Sequence, residues 1–328
     1  MCQSKEDVLL RAENIRKVFP LKARADLTAV NGVSLEIIKG ETVSIVGESG
    51  SGKTTLVRIL TRLLDPTEGR IYLEGQDITN LPDKKLKPIY QKMQMVFQDP
   101  RGSFDPRRRL GSGIEETILN FASLDGYQKE KQEKNQIDKQ AKNQEDKQTK
   151  NQEDKQTKNQ EDKQAKDQED KQAQNQEDKQ VNKPGQQGKR SRKALKLYAQ
   201  SRCKTLLRKL GLPEEIRNRY PHEVSGGQCQ RAAIARALAA EPKLLILDEA
   251  TSALDVTVQK EVMDLTQELK KEFGLTILMI THDIALAAEY SDRLLVMQEG
   301  RIVEEGKAED VIWHPKSDGT KRLLNSIL

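Results

Sequence analysis

Gly47-Glu48-Ser49-Gly50-Ser51-Gly52-Lys53-Thr54 fits the pattern G-x-x-x-x-G-K-[ST]. Residues of these types at this spacing can hold a phosphate chain. The glycines let the backbone curl until successive N–H groups point at one anion. A helix opening at Lys53 adds a positive field at its N-terminus. The ammonium of Lys53 reaches the outer phosphates, and the Thr54 hydroxyl is placed to coordinate Mg²⁺, with Thr55 next in the same helix. A second candidate is Leu244-Leu245-Ile246-Leu247-Asp248-Glu249, an apolar run that ends in two carboxylates. Asp248 suits the shell of a divalent cation. Glu249 suits a general base, or a group that orients water.

These residues need a scaffold that ends strands beside loops. VLLRAENIRKVF and LTAVNGVSLEII are strand candidates, with a turn at Lys39-Gly40. TVSIVG is a buried strand running into the glycine-rich loop, and KTTLVRILTRLL is the helix behind it. GRIYLEG and KMQMVF are further strands. A helix is expected over RKALKLYAQSRCKTLLRKLG, stopping at Gly211 with Pro213 beyond. GGQCQRAAIARALAAE is a second amphipathic helix. KLLILD and LTILMI are short apolar runs of the kind found in buried parallel strands, with a helix over Val256 to Phe273 between them. Alternating strands and helices predict a layered α/β domain.

A third motif is Val224-Ser225-Gly226-Gly227-Gln228, followed by Cys229-Gln230-Arg231. It resembles the LSGGQ signature of the ATP-binding cassette (ABC) proteins, with Val224 as the departure. The resemblance covers the chain outside a polar insert. It implies a P-loop NTPase (RecA-like) core, an antiparallel β-subdomain and a helical subdomain. The expected division is residues 1–98 and 242–328 for the nucleotide-binding core, 99–126 and 194–241 for the helical part, and 127–193 for the insert. By resemblance, Gln98 is the glutamine that links Mg²⁺ and the attacking water to the membrane-facing subdomain. Ser252-Ala253-Leu254-Asp255 looks like the D-loop, with Asp255 at the nucleotide interface. His282, in MITHD, looks like the switch histidine at the γ-phosphate. Phe19 falls where the family places an aromatic ring against adenine, a role that needs only a π-face.

The family implies ATP and Mg²⁺ as ligands and two cassettes packed head to tail. Ser225, Gly226, Gly227 and Gln228 of one would then face the phosphate loop of the other. The partners implied are a second cassette, two membrane permease subunits and, indirectly, an extracytoplasmic solute-binding protein, with no nucleic acid. The expected place is the cytoplasmic face of the cell membrane. YPHEVSGGQ, QDPRGSFDPRRRLG and HPKSDGTKRLLNSIL resemble cassettes of peptide and nickel importers. The end at Leu328 resembles the shorter, nickel-type members. Phe104-Asp105 and Val224 depart from those patterns and leave the solute class open. Non-transport ABC ATPases are the rival reading: translation-factor types, which usually carry two cassettes where this chain has one, and chromosome-maintenance and DNA-repair types, which also split such heads. Their inserts are coiled coils with apolar positions every seven residues. Cys229 falls on the helix after the signature, so alkylating it is expected to crowd the interface between cassettes.

The net charge of +5 over 328 residues does not imply a nucleic-acid partner. The 3 cysteines have no zinc or disulfide spacing, which points to free thiols in a reducing compartment. The N-terminus lacks the apolar core of a signal peptide, and no apolar run approaches membrane-spanning length. Trp313 and His314 read as packing or surface residues. From Asn135 to Asn182 the chain repeats octads such as NQEDKQTK. An eight-residue period with almost no apolar position cannot form a coiled-coil seam. Its Asp-to-Lys pairs four apart, such as Asp146 and Lys150, favour helix by only about 0.2–0.5 kcal/mol each. Helix and coil are therefore close in energy there. The basic Lys189–Lys193 reads as a solvated charge run. Deleting Tyr127 to Lys189 and bridging the gap with a short linker should leave the rate of ATP hydrolysis within a few-fold, as measured by phosphate release. Loss of ATP binding in that deletion would overturn the reading of the insert.

Overall fold

The computed structural model describes residues 7–20, 26–121, 184–252 and 254–325; side chains within 184–192 are not described. The octad repeat and Ala253 lie outside these. The chain divides into two compact units, residues 1–121 with 200–328, and residues 122–199. The first unit holds the glycine-rich loop, the paired carboxylates and the signature.

Two kinds of strand build this unit. β2 (Leu27–Ile38) alternates buried with more open positions from Val30 on, as a strand with one covered face must, while β1 (Val8–Phe19) is buried mainly at Leu9, Leu10, Ala12 and Ile15. They form an antiparallel sheet in the order β2-β1-β4-β5, with β4 (Glu68–Leu73) and β5 (Gln76–Asp77). By contrast, β3 (Thr42–Val46), β7 (Leu244–Asp248) and β8 (Thr276–Thr281) are buried at every position. Strands covered on both faces read as continuous apolar runs. With β6 (Met93–Val96), β9 (Arg293–Gln298) and β10 (Arg301–Lys307) they form a second sheet, ordered β10-β9-β3-β8-β7-β6. Only β10 pairs antiparallel within it.

The helices are α1 (Lys53–Leu60), α2 (Asp83–Lys92), α3 (Leu110–Phe121), α4 (Pro184–Lys209), α5 (Gly226–Leu238), α6 (Val256–Phe273), α7 (Ile284–Tyr290), α8 (Ala308–Trp313) and α9 (Asp318–Asn325). Short 3₁₀ turns at Glu214–Asn218 and Pro221–Glu223 lead into α5. Arg217 of the first turn pairs with Glu115 of α3.

Several expected boundaries shift. α1 ends at Leu60 rather than running through Leu64, and Arg62 beyond it takes a positive φ of 58°. α4 begins at Pro184, not Arg192, so the basic Lys189–Lys193 lies within a helix. Proline is well suited to a first helical position, because its missing N–H has no intrahelical partner there. α2 was not expected; it is charged and carries Pro88 in its interior, which weakens a periodic signal. Trp313 is 76% exposed, in keeping with a surface residue.

The sheet register decides where the loops meet. Val96 pairs with Leu247, Asp248 with Ile280, and Thr281 with Val46. Four neighbouring parallel strands therefore end level, and in open α/β sheets ligands bind outside the carboxyl ends of the strands. Ile45 is fully buried at the middle of this array, flanked by Ile280 and Leu295. Ile45→Ala should lower the stability of the chain by about 2–5 kcal/mol, read from chemical denaturation, since it opens a cavity in the central strand.

Candidate functional site

β3 delivers the glycine-rich loop. Its two ends are locked by close approach. A Cβ on Gly47 would lie 2.1 Å from the Met297 carbonyl oxygen, and one on Gly52 (φ +102°) would lie 2.2 Å from that of Ala29. No other residue fits without moving β9 or β2. The exposed turn Glu48, Ser49 and Gly50 lies between, and the buried Ser51 accepts a backbone bond from Gly300.

Lys53 opens α1 and is buried. Its ammonium donates to the carbonyls of Gly47 and Glu48, each at 2.8 Å. Burial pulls its pKa below the usual lysine value, and the charges of Glu249 and Asp248 oppose that shift. The Thr54 hydroxyl stands 3.5 Å from Asp248 Oδ1. Asp248 is itself buried, and its pKa is raised, first by burial and next by the charge of Glu249. Its contribution to stability is thus greatest at low pH and declines as pH rises through the carboxylate range. A divalent cation fits here: Thr54 and the buried Asp248 are neighbouring hard oxygen donors, and the amide oxygen of Gln98 is a third of the same chemistry. Phosphate oxygens and water would have to complete the shell, for no group of three His, Cys, Asp or Glu residues suited to a metal occurs among the described residues.

Three side chains converge one residue further out. Gln98, two residues past β6, donates through Nε2 to Glu249 Oε2 at 2.8 Å. His282, just past β8, places Nδ1 4.0 Å from Glu249 Oε1. The histidine sits in a tight turn, where Asp283 N donates to Thr281 Oγ1 and Asp283 caps α7. Glu249 has φ +47°, a left-handed conformation uncommon outside glycine. Its N–H is pinned to the Ile280 carbonyl at 2.9 Å, and its carbonyl accepts from both the N–H and the hydroxyl of Ser252. Nothing in the sequence pattern signals this conformation.

The signature residues are elsewhere. Ser225 caps α5: its Oγ accepts from Gln228 N, while the Gln228 side-chain oxygen accepts from Ser225 N. Asp255 caps α6 by accepting from Val258 N at 3.0 Å. A Cβ on Gly227 would lie 2.6 Å from Val258 Cγ1, so the two helix starts press together. Ser225, Gly226, Gly227 and Asp255 share a depression with Arg231 and Leu254, apart from residues 47–55. Phe19 ends β1, half-buried, with the Lys17 ammonium 5.3 Å above its ring. No described contact joins it to the loop. Sequence reading missed Arg101, whose guanidinium donates to the Val224 carbonyl at 2.9 Å and ties the segment behind Gln98 to the signature. Its place three residues after Gln98 was the available signal. A groove of about 450 Å³ adjoins that segment, lined by Leu63, Tyr90, Phe97, Phe104, Arg108 and Arg236.

The expected effect of modifying Cys229 is corrected. The thiol is on α5 as expected but is fully buried inside the chain, near Arg101, Asp99 and Arg236. It faces no partner surface.

A family model described as "ABC transporter" matches residues 30–252. The chain is 34% identical to the oligopeptide transport ATP-binding protein AppF of Bacillus subtilis, over 100% of this chain and 80% of that protein. It is 33% identical to the dipeptide transport ATP-binding protein DppF of Escherichia coli, over 97% of this chain and 76% of that one. Among solved structures it resembles a dimeric, post-hydrolysis state of the ATP-binding cassette MJ0796 bound to ADP and Pi. That likeness has a TM-score of 0.63 and 25% identity, and covers 92% of this chain and 99% of that one.

Burial raises the Cys229 pKa to about 11 from an ordinary 9.0. The folded chain therefore disfavours the reactive thiolate, and the stability tied to this group is full below pH 9.0 and falls as pH rises toward about 11. Iodoacetamide at neutral pH should leave Cys229 unmodified in the native chain and label it after denaturation, read by mass spectrometry of the peptide.

Proposed function

We propose, on the premise that this chain belongs to the ABC transporter family, that it is the ATP-hydrolysing subunit of a peptide importer. The observation that carries the reading is the meeting of Gln98, Glu249 and His282 at the level carboxyl ends of β6, β7 and β8, beside the phosphate loop.

Each group has a step that its position suits. The N–H groups of Glu48, Ser49, Gly50, Ser51 and Gly52 cradle the phosphates, while Lys53 exchanges two neutral carbonyls for a phosphate oxygen. Thr54 and Asp248, with Gln98, would hold Mg²⁺, which neutralises phosphate charge when bound. Thr55 follows in the same helix, and the Phe19 ring serves the adenine. Glu249 takes the proton of the attacking water or aligns it, and Gln98 fixes that carboxylate through its 2.8 Å bond. His282, with its side chain 60% exposed, is free to reach the γ-phosphate.

Ser225, Gly226, Gly227, Gln228 and Asp255 serve a second cassette. The start of α5 presents N–H groups and a positive helix end on an open depression, which suits the phosphates of a facing partner. ATP then joins two cassettes head to tail and hydrolysis frees them, which is the two-state closure a transporter needs. The chain holds both halves of such a site, so a homodimer or a pair with a similar cassette is workable. No helix among the described residues is long and apolar enough to cross a membrane. Two permease subunits would supply the membrane part, docking on the groove beside Phe97 and holding this chain at the cytoplasmic face. A solute-binding protein acts through them. The relatives named for oligopeptides and dipeptides favour peptide over nickel as the solute. No nucleic-acid partner is proposed.

Glu249→Gln should lower ATP turnover by about 100-fold or more, while an ATP-stabilised dimer accumulates on size-exclusion chromatography. Normal turnover in that variant would move the base elsewhere.

A further inference from the structure

Gln230 lies in the second turn of α5, and neither the phosphate site nor the signature makes use of it. It is fully buried, at 0% exposure. Neither its amide nitrogen nor its amide oxygen has a hydrogen-bond partner among the described residues. A buried amide without partners is costly, and natural proteins seldom keep one without cause.

Its surroundings suggest the cause. Gln230 lines a cavity of about 250 Å³ with Gln98, Asp99, Arg101, Gly226 and Ala250. These come from the segment behind β6, the start of α5 and the turn behind Glu249. Each segment carries a group that hydrolysis uses. The polar groups on the far wall are committed in this conformation. Gln98 holds Glu249, Arg101 holds the Val224 carbonyl, and Asp99 accepts from the N–H of Arg101. Closing residues 98–101 onto α5 would narrow this cavity and bring the polar groups of Asp99 and Arg101 toward the amide, with Gln98 kept on Glu249.

We propose that Gln230 is a positioning residue for hydrolysis: when residues 98–101 close onto α5, its amide gains partners on that segment and favours the closed arrangement. The amide has no partner among the described residues in the present conformation and gains partners in the closed one. A group whose interactions differ between two states biases the equilibrium between them. Gln230 thus links the position of the signature helix to that of Gln98, and through Gln98 to Glu249. The inference rests on the chain being an ATPase.

The test uses the full chain and Gln230→Met, which keeps length and volume but removes the amide. The melting temperature should stay level or rise, since an apolar side chain suits this burial. The kcat for ATP should fall about tenfold with KM for ATP unchanged, the loss expected for one set of hydrogen bonds made only on closure. In a Glu249→Gln background, the same change should raise about tenfold the ATP needed to form the paired species. Wild-type kcat and wild-type ATP dependence in Gln230→Met would overturn the proposal. A melting temperature that falls together with kcat would also overturn it, by making the amide a structural group. If the unaltered chain shows no ATPase activity and Glu249→Gln forms no ATP-dependent pair, the ATPase reading itself has failed, and this inference falls with it.

Discussion

The register of four adjacent parallel strands is the constraint on which the rest depends. β6, β7, β8 and β3 end level, so the loops behind them open on one edge. A one-residue slip of β7 would carry Glu249 to the other face of the sheet and leave Gln98 and His282 without it. The apolar runs fix that register from inside. Ile45, Leu247 and Ile280 are buried among neighbours that tolerate little displacement. The meeting of these three side chains is therefore a consequence of core packing several residues away.

Charge at this edge is held under tension. Lys53 is buried and pulled below the usual lysine pKa; Asp248 is buried and pushed above the usual carboxylate value. Each charged form is disfavoured by the loss of water; the Glu249 charge opposes that effect at Lys53 and adds to it at Asp248. A polyphosphate with a divalent cation would supply opposite charges to both. Such a site is arranged before its ligand arrives, which is how fixed charges and dipoles contribute to catalysis. Glu249 adds a backbone held at φ +47°, fastened by its bonds to Ile280 and Ser252.

The signature residues serve their own chain first. Ser225 and Gln228 satisfy each other across the start of α5, Asp255 does the same for α6, and Gly227 lets the two starts touch. With the side chains occupied, the free N–H groups of the first turns are left at the surface. One set of residues thus stabilises two helix ends and sets the shape of the surface between them.

Residue order alone determined much of this protein. β1, β2 and α6 run over the segments expected for them, because alternation, continuous apolar runs and capping residues are local signals. The phosphate loop and the Asp248-Glu249 strand end were legible for the same reason: spacing along the chain is itself the chemistry. Local signals failed where a segment's character comes from its neighbours. α2 hides behind charge and an interior proline, and α4 begins at a proline that reads as a break. Only the tertiary structure placed Gln98 on Glu249, set Glu249 left-handed, buried Cys229 and left Gln230 without partners. Each of these depends on contacts between residues far apart in sequence, which no local pattern encodes. Sequence specified the parts of the site; packing decided which of them touch.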